Sequence, residues 1–476
     1  MSSTESGFPG ADREEWRALA EKALAGAAYE EALVSRTDDG IEIDPLPERS
    51  TKINPLTRAN PSVPWRIVQR VDDPDPARAA KQALEDIAQG ATGLSLVFEG
   101  APNAFGYGLP GTPQALEQVL AGVDLNKTHV RVDVHPSSRA MADWLVAILN
   151  KRAVDPAKLS MSFGIDPSAI FAGTGRLRMS IAALQASMPQ SLAHFFTIGV
   201  PGVLLEADGR VFHNAGATEA QELGIMLAAA VAHLKLFVEA RQALVYAAPH
   251  IGFALSVDQD QFLSTAKVRA VRTLWAKVQE IWSIPPSPAI IHAETSHRMM
   301  TAKDPETNIL RGTLAAFGAA TGGADSISVL PYTIAHGLPD AFARRVARNT
   351  QLLLADESHI DFVSDPAAGS GGVESLTTSL CEAAWKEFQA IEAEGGVLAS
   401  LAAGHIQKRV LAARDERTRD YREGKRQIVG TTVYPLKVER PISTIAAEQR
   451  PAPSDGTVFC ENLAAKRIDE LLEAAQ

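Results

Sequence analysis

The chain has 476 residues, of which 46% are hydrophobic and 22% are charged, and its formal net charge is -11. This composition is typical of a globular protein with enough apolar material for a large core. The acidic balance argues against non-specific nucleic-acid binding, which requires a basic surface. Cys381 and Cys460 form no metal or disulfide pattern, so a reducing, cytoplasmic location is expected. No secretory signal pattern and no apolar run of about 18 residues is found, so no membrane association is expected.

Residues 1–64 combine a helix pattern with an extended arm. Residues 12–33 place Trp16, Leu19 and Leu24 on one side of an amphipathic helix. Residues 34–64 contain five prolines, which oppose both helices and central strands. We expect this region to lie on a partner protein; a flexible tail is the alternative.

The middle of the chain, residues 65–375, alternates strand-like runs with helix-length amphipathic segments such as 136–152 and 216–240. This alternation predicts a parallel sheet, and eight units are the number that closes a (β/α)8 barrel. An open, doubly wound sheet is the alternative, but no glycine-rich phosphate loop follows the first strand. The predicted strands are 94–99, 130–135, 159–164, 202–207, 252–257, 290–295, 326–331 and 360–365.

The segments after the barrel are predicted to be mainly helical. Residues 376–424 carry long helix patterns and are followed by a strand-like run over 426–436. We expect 376–436 to pack on the barrel as a helical region. Residues 437–476 are predicted to be a linker that ends in a short helix.

Several predicted strands have one polar face, which is unusual for a parallel barrel. Side chains two residues apart point the same way, and the outer face must be apolar to hold the helices. Ordinary barrels fill the interior with branched apolar residues, so the pattern predicts a polar, partly hollow lumen. The alternative is strand ends wetted by loops, with one internal Arg131–Asp133 ion pair. The inward polar set is Ser95, Glu99, Arg131, Asp133, His135, Ser160, Ser162, His292, Glu294, Ser326 and Ser328.

Long strings of the sequence resemble the acyl-CoA mutases that use adenosylcobalamin, above all methylmalonyl-CoA mutase. Residues 65–99 resemble the start of their barrel, and five further strings look like methylmalonyl-CoA mutase. The run Ala347-Arg348-Asn349-Thr350-Gln351 is specific for this resemblance when it occurs together with Asp304-Pro305 and Asp365-Pro366. The resemblance spans about residues 50–436, and its further strings are 209–224, 265–278, 292–332, 340–377 and 424–436.

The resemblance implies a known reaction and a known architecture. Members of this family interconvert (R)-methylmalonyl-CoA and succinyl-CoA through a substrate radical. Their acyl-CoA chain threads a barrel lined by small polar residues, and cobalamin caps one end on a separate flavodoxin-like domain. Enclosure protects the radical from side reactions.

The sequence departs from the family's cobalt-binding pattern. Cobalamin domains carry Asp-x-His-x-x-Gly, whose histidine ligates cobalt. The one Asp-x-His here is Asp133-Val134-His135, which lacks the glycine and lies on a predicted barrel strand. No flavodoxin-like domain is expected after Leu436. The comparison therefore implies that this chain binds no cobalamin or metal and that adenosylcobalamin is held by a partner subunit.

The catalytic positions also differ from those of the active members. His213, in the run 211–218, lies nearer to the Ala-Gly-Ala-Thr motif than the catalytic histidine does and resembles the version in the family's small subunits. The loop 99–107 has no arginine, and Tyr107 is out of register. Ile290 and Glu294 replace the arginine and glutamine of the active chains, and an anionic Glu294 would repel a carboxylate substrate. No catalytic residue is therefore expected.

Three hypotheses follow from these departures. The first is a small, non-catalytic subunit of a heterodimer, whose larger catalytic partner binds the acyl-CoA. The second is an active barrel subunit of a related acyl-CoA mutase, with its cobalamin domain on a separate chain. The third is an assembly protein, which the missing Walker A loop disfavours. The lumen candidates are His135, His213, His292, Glu294, Ser160, Ser162, Ser326, Ser328 and Tyr107, with structural histidines as the alternative for the first three.

Overall fold

The structure is a computed structural model that describes residues 12–50, 54–155, 158–197, 199, 202–450 and 454–474. Parts of the predicted arm (1–11 and 51–53) and of the predicted C-terminal segment (451–453 and 475–476) lie outside these residues.

Eight parallel strands form a closed barrel, and each strand pairs with its neighbours in chain order. The predicted (β/α)8 fold is therefore confirmed. Adjacent strands place polar residues side by side, as at Ser95, Arg131 and Ser162. The strands are β1 (Arg66–Val71), β2 (Gly93–Leu96), β3 (His129–Val132), β4 (Met161–Ile165), β5 (Val203–Asp208), β6 (Ile251–Val257), β7 (Ile290–Thr295) and β8 (Ser326–Ser328).

The prediction of the barrel strands contained two errors, one missed strand and one false strand, so the predicted number of eight was still right. The first barrel strand is β1, which was not predicted, and the predicted strands from 94–99 to 326–331 correspond to β2–β8. The predicted strand over 360–365 is a short 3-10 turn, Ile360–Phe362, with Phe362 exposed. The strand-like run over 426–436 also forms no strand and holds turns with a single bridge between Val429 and Val433.

Helices cover the outside of the barrel because the outward strand residues are apolar. Leu94, Leu96 and Val130 are fully or almost fully buried against them, and Phe253 packs edge-on against Trp275 of α11 with ring centroids 5.3 Å apart. The barrel helices are α3 (Pro76–Ala88), α4 (Pro113–Leu120), α5 (Ser138–Lys151), α6 (Pro167–Thr174), α7 (Ile181–Thr197), α8 (Arg210–Ala215), α9 (Glu219–Glu239), α10 (Leu244–Ala247), α11 (Gln261–Ile281), α12 (Thr307–Thr321) and α13 (Ala341–Leu352).

Helix α9 shows how the C-terminal region attaches to the barrel. Its capping box begins at Thr218, and α14 packs along both α9 and α11. By length and composition α9 alone among the described helices could cross a membrane, but 78% of its apolar window is buried in the fold, as expected of a core helix. The helices after the barrel are α14 (Gly371–Ala393), α15 (Val397–Ala403), α16 (His405–Arg422) and α17 (Ile468–Glu473).

The N-terminal region has two parts with different surroundings. Helices α1 (Arg13–Ala23) and α2 (Tyr29–Ala32) begin the described chain, and α1 has no buried residue. The arm that follows lies on the chain's own surface. Asp38 pairs with Arg417 at 2.7 Å, and the backbone NH of Ala59 donates to Asp325 at 2.6 Å.

Among the described residues, six two-residue strands, in three antiparallel pairs, fix loops and tails. An antiparallel pair joins 35–36 to 42–43 near the N-terminus, and another joins 338–339 to 444–445. A third pair joins Arg176–Leu177, which follows α6, to Val458–Phe459 of the C-terminal tail. The tail is thereby held beside the carboxyl end of the barrel.

Candidate functional site

A buried arginine bridges the bore near the carboxyl ends of the strands. Arg210, the first residue of α8 after β5, donates to both carboxylate oxygens of Asp133 at 2.8 and 3.0 Å. It also donates to Asp208 at 2.5 and 3.0 Å and to Glu294 at 3.2 Å. Asp133 follows β3 and Glu294 lies on β7, on opposite walls of an eight-stranded barrel. We call Asp133, Asp208, Arg210 and Glu294 the Arg210 cluster.

The charges of the Arg210 cluster depend on one another. Burial opposes a charged Arg210, but its three carboxylate neighbours outweigh burial and raise its pKa. Burial also opposes a charged Asp133, yet Arg210 keeps the pKa of Asp133 low. The pKa values of Asp208 and Glu294 are raised, because burial exceeds what Arg210 supplies to them. The buried charged groups at this level of the bore are therefore paired with one another.

Further ion pairs continue this network toward both ends of the bore. Arg70 of β1 donates to Asp72 at 2.6 Å and lies 3.8 Å from Glu294. Arg131 of β3 donates to Glu206 of β5 at 2.5 Å. The suggested Arg131–Asp133 pair is therefore wrong, because each residue pairs with a different partner. Polar side chains line the bore, and the Arg210 cluster fills it at its own level.

The amino end of the bore keeps an open volume, which we call the mouth cavity. It measures ≈ 210 Å³ and is lined by the first residues of several strands. His292 bonds through Nδ1 to the Ser326 hydroxyl at 2.9 Å, and His129 bonds likewise to Ser160 at 2.9 Å. The bore therefore has open space at this end and is filled at the level of the Arg210 cluster. Its lining is Arg66, His129, Arg131, Leu159, Ser160, Met161, Ser162, Gly202, Val203, Glu206, Pro249, Ile290, His292 and Ser326.

His213 lies outside the bore, inside a closed hydrogen-bond network. Its Nδ1 is 3.1 Å from Glu222 and its Nε2 is 2.9 Å from the Ser296 hydroxyl. Lys267 donates to Glu222 at 2.7 Å. Burial and the nearby Arg298 and Lys267 lower the pKa of His213 well below its usual value. Both ring nitrogens are engaged and the side chain is fully buried, so it is held as a structural group.

The carboxyl end of the barrel is covered by an aromatic stack. Phe105, after β2, stacks on His297, after β7, with ring centroids 4.0 Å apart and planes 9° apart. The guanidinium of Arg70 lies 5.0 Å from the Phe105 ring centroid. Above the stack is a cavity of ≈ 340 Å³ whose lining includes Tyr107 and Arg467.

The C-terminal tail crosses this same face. The backbone NH of Leu463 donates to Ala172 at 2.9 Å, and that of Lys466 donates to Asn214 at 2.9 Å. The carboxylate of Asp469 accepts from the Ala302 NH at 2.6 Å. Ala172, Asn214 and Ala302 follow β4, β5 and β7, so the tail lies over the ends of three strands.

Comparison with known proteins places this architecture in a family. The family model described as methylmalonyl-CoA mutase matches residues 111–467. The methylmalonyl-CoA mutase small subunit of Streptomyces virginiae is 37% identical over 471 residues, which are 94% of this chain and 73% of that protein. The chain belongs to the methylmalonyl-CoA mutase family. The small subunit of Propionibacterium freudenreichii subsp. shermanii is 34% identical over 94% of this chain and 72% of its own length. The Escherichia coli methylmalonyl-CoA mutase is 26% identical over 97% of this chain and 70% of its own length.

Cobalamin-dependent members of the methylmalonyl-CoA mutase family need a histidine that can ligate cobalt, and the Asp-x-His of this chain does not fit that role. His135 Nδ1 accepts from the Ser137 NH at 2.9 Å, and Nε2 lies 2.9 Å from the Glu99 carbonyl oxygen. Asp133 belongs to the Arg210 cluster. Burial lowers the pKa of His135 to about 4. Among the described residues no group of three or more His, Cys, Asp or Glu could hold a metal ion.

The predicted lumen residues of this mutase-family chain separate into distinct places. His292, Ser326, Ser160 and Ser162 come together around the mouth cavity. Glu294 belongs to the Arg210 cluster, and Ser328 is fully buried on β8. The remaining candidates lie elsewhere: His135 beside α5 and α6, His213 in its own network and Tyr107 above the carboxyl end.

Sequence reasoning missed the residues that fill the bore of this mutase-family barrel. Glu206 and Asp208 alternate along β5 as the predicted polar residues do, so their spacing could have revealed them. Arg210 carried no such signal, because it lies beyond the strand at the start of α8 and meets Asp133 77 residues away in the chain.

Proposed function

We propose that this chain is a non-catalytic small subunit of a heterodimeric methylmalonyl-CoA mutase. Its larger partner would bind acyl-CoA and adenosylcobalamin and interconvert (R)-methylmalonyl-CoA and succinyl-CoA. The observation that carries the proposal is the Arg210 cluster across the bore. A substrate chain threading the barrel would have to displace a buried guanidinium held by five hydrogen bonds.

The energy of that displacement supports an inert bore. Removing one partner from a buried, hydrogen-bonded ion pair costs about 3–5 kcal/mol. Opening the bore would separate Arg210 from three carboxyl groups, and an acyl-CoA thioester offers no equivalent set of acceptors. The substrate's own carboxylate would also meet Asp133 and Glu294, which are acidic.

The histidines support the same conclusion. Polarising a thioester carbonyl requires an N–H within hydrogen-bond reach of the carbonyl oxygen. The ring nitrogens of His135 and His213 are already bonded within the protein. His292 lies at the amino mouth, on the far side of the Arg210 cluster from the carboxyl end.

The surface of α1 supports a partner contact. This helix has an apolar side, yet none of its residues is buried, and Leu19 is 60% exposed. Trp16 makes an edge-on contact with Tyr29 and is partly covered. Since residues of the extended arm lie on the chain's own barrel, α1 is the part of the N-terminal region that we assign to the large subunit.

The test is reconstitution with purified components. The chain alone, supplied with adenosylcobalamin and (R)-methylmalonyl-CoA, should form no succinyl-CoA. The chain with a large mutase subunit should form a stable complex that turns over. Cobalamin added to the chain alone should keep the absorption spectrum of the free cofactor. Turnover by this chain alone would refute the proposal.

A further inference from the structure

We propose that the mouth cavity is a binding site for a small oxyanion, such as inorganic phosphate or a short carboxylate, recognised by Arg131, Arg66 and His292. This inference goes beyond the proposed function, because the site lies at the amino end of the barrel and binds its ligand on the non-catalytic chain itself.

The size and closure of the cavity set the size of the ligand. Its ≈ 210 Å³ exceeds the roughly 30 Å³ that one water occupies in the liquid. The inner end is closed by the Arg131–Glu206 ion pair, at 2.5 Å, and the Arg210 cluster lies beyond it. The ligand must therefore be compact, and a long chain would find no passage.

Unpaired buried donors indicate what kind of ligand fits. The side chain of Arg131 is completely buried, and within the described part of the chain its one side-chain hydrogen bond runs from Nη2 to Glu206. Among the residues that the structure describes, Arg131 Nε and Nη1 and His292 Nε2 have no hydrogen-bond partner. Unsatisfied buried donors are costly, and those of a guanidinium especially so. A ligand rich in oxygen acceptors would satisfy them.

The charge of the lining favours an anion over a neutral ligand. Two guanidinium groups, Arg66 and Arg131, face the cavity together with a single carboxyl group, Glu206. Glu206 is held by Arg131 and by the Ser162 hydroxyl at 3.4 Å, so Arg66 has no opposing charge among the described lining residues. The nearby Asp325, outside the lining, is paired with Arg272 at 3.1 Å. Arginine–oxyanion hydrogen bonds are short and strong because both partners are charged.

The histidines add hydrogen-bonding groups without adding charge. His292 is held through Nδ1 by Ser326, so Nε2 remains to bond a ligand oxygen. His129 is likewise held through Nδ1 by Ser160. The mouth cavity thus combines fixed rings with guanidinium donors, as expected of a preformed site.

Isothermal titration of the full chain with inorganic phosphate, and separately with acetate, tests the proposal and separates phosphate from carboxylate recognition. We expect saturable binding of at least one of them. Arg66→Gln, at an exposed position, should weaken binding about 3- to 10-fold by removing one charge. Arg131→Lys keeps a cation for Glu206 but removes the unpaired donors, and should weaken binding more than about 10-fold.

The matched control is Arg152→Lys. Arg152 also lies at the amino end of the barrel, but it donates to the carbonyl oxygen of Leu120 and does not line the cavity. This variant should bind like the original chain. If neither anion binds at about 10 mM, or if Arg66→Gln and Arg131→Lys leave the affinity unchanged, the mouth cavity is not the proposed site. Circular dichroism confirms that each variant is folded.

Discussion

Replacing Arg210 by methionine should destabilise the chain in a way that depends on pH. The substitution removes the cation that five hydrogen bonds tie to Asp133, Asp208 and Glu294. Asp133, whose pKa Arg210 holds low, must then take up a proton to stay buried. Protonating an aspartate of ordinary pKa costs about 1.4 kcal/mol per pH unit above that pKa. The expected loss is about 4 kcal/mol at pH 7 and about 1.5 kcal/mol at pH 5.

Urea unfolding followed by circular dichroism at the two pH values measures this difference. The matched control is Arg36→Met, which removes an arginine from its pair with Glu42, in which both side chains are exposed. An exposed pair contributes less than about 1 kcal/mol, so the control should show a small loss with little change between pH 7 and pH 5. A loss below about 1 kcal/mol for Arg210→Met at pH 7, or equal losses at both pH values, would refute the reasoning.

Three further predictions concern separate parts of the fold. Asp72→Asn should cost about 2 kcal/mol at pH 7, because two buried arginines overcome burial and lower the pKa of Asp72 from 3.8 to about 2. This contribution to stability is present above pH 3.8 and is lost as the pH falls toward 2, so the urea midpoints of the variant and the original chain should converge there. Midpoints that stay equally far apart at low pH would contradict the prediction. Gly164→Ala should lower the free energy of unfolding by more than about 2 kcal/mol in thermal unfolding, because φ is +56° and a Cβ would lie 2.1 Å from a strand carbonyl oxygen. The control Gly111→Ala, whose Cβ would meet no atom within 4 Å, should be nearly neutral. Equal effects of the two substitutions would contradict the prediction. Leu19→Glu should reduce the amount of large subunit that co-purifies with the chain about 10-fold or more. The control Val245→Glu, at another exposed apolar position, should leave that amount unchanged. If both variants co-purify with equal amounts of the large subunit, α1 is not part of the proposed interface.

The sequence alone was sufficient for most of the fold, because alternating strand and helix periods reflect local burial. The prediction failed at β1, where Arg66, Gln69 and Arg70 make the run resemble a loop. In the fold Arg70 is buried because it pairs with Asp72, and Gln69 bonds Asp86 at 3.2 Å. Hydrogen bonds and ion pairs that form only in the folded chain leave no periodic pattern in a single sequence.

The site was predictable in its polarity but not in its connections. The polar face of the strands identified His292, Ser326 and Ser162 as inward residues, and the structure places them around one cavity. Which carboxylate meets which arginine depends on barrel closure, which brings β3 and β7 to opposite walls. Neither composition nor spacing shows that Arg210 spans between those walls, because its partners lie on three separated strands.

Under the proposed non-catalytic role, the tail over the carboxyl ends of the strands has a consequence for any attempt to convert this barrel into a working mutase. Restoring an arginine and a histidine at the positions of the active relatives would leave Leu463–Asp469 across the carboxyl face, where (β/α)8 enzymes carry their active sites. It would also leave Phe105 stacked on His297 beneath the tail. Gain of activity would thus require several coordinated changes at distant positions, none of which helps by itself, so point mutations alone should not recover catalysis.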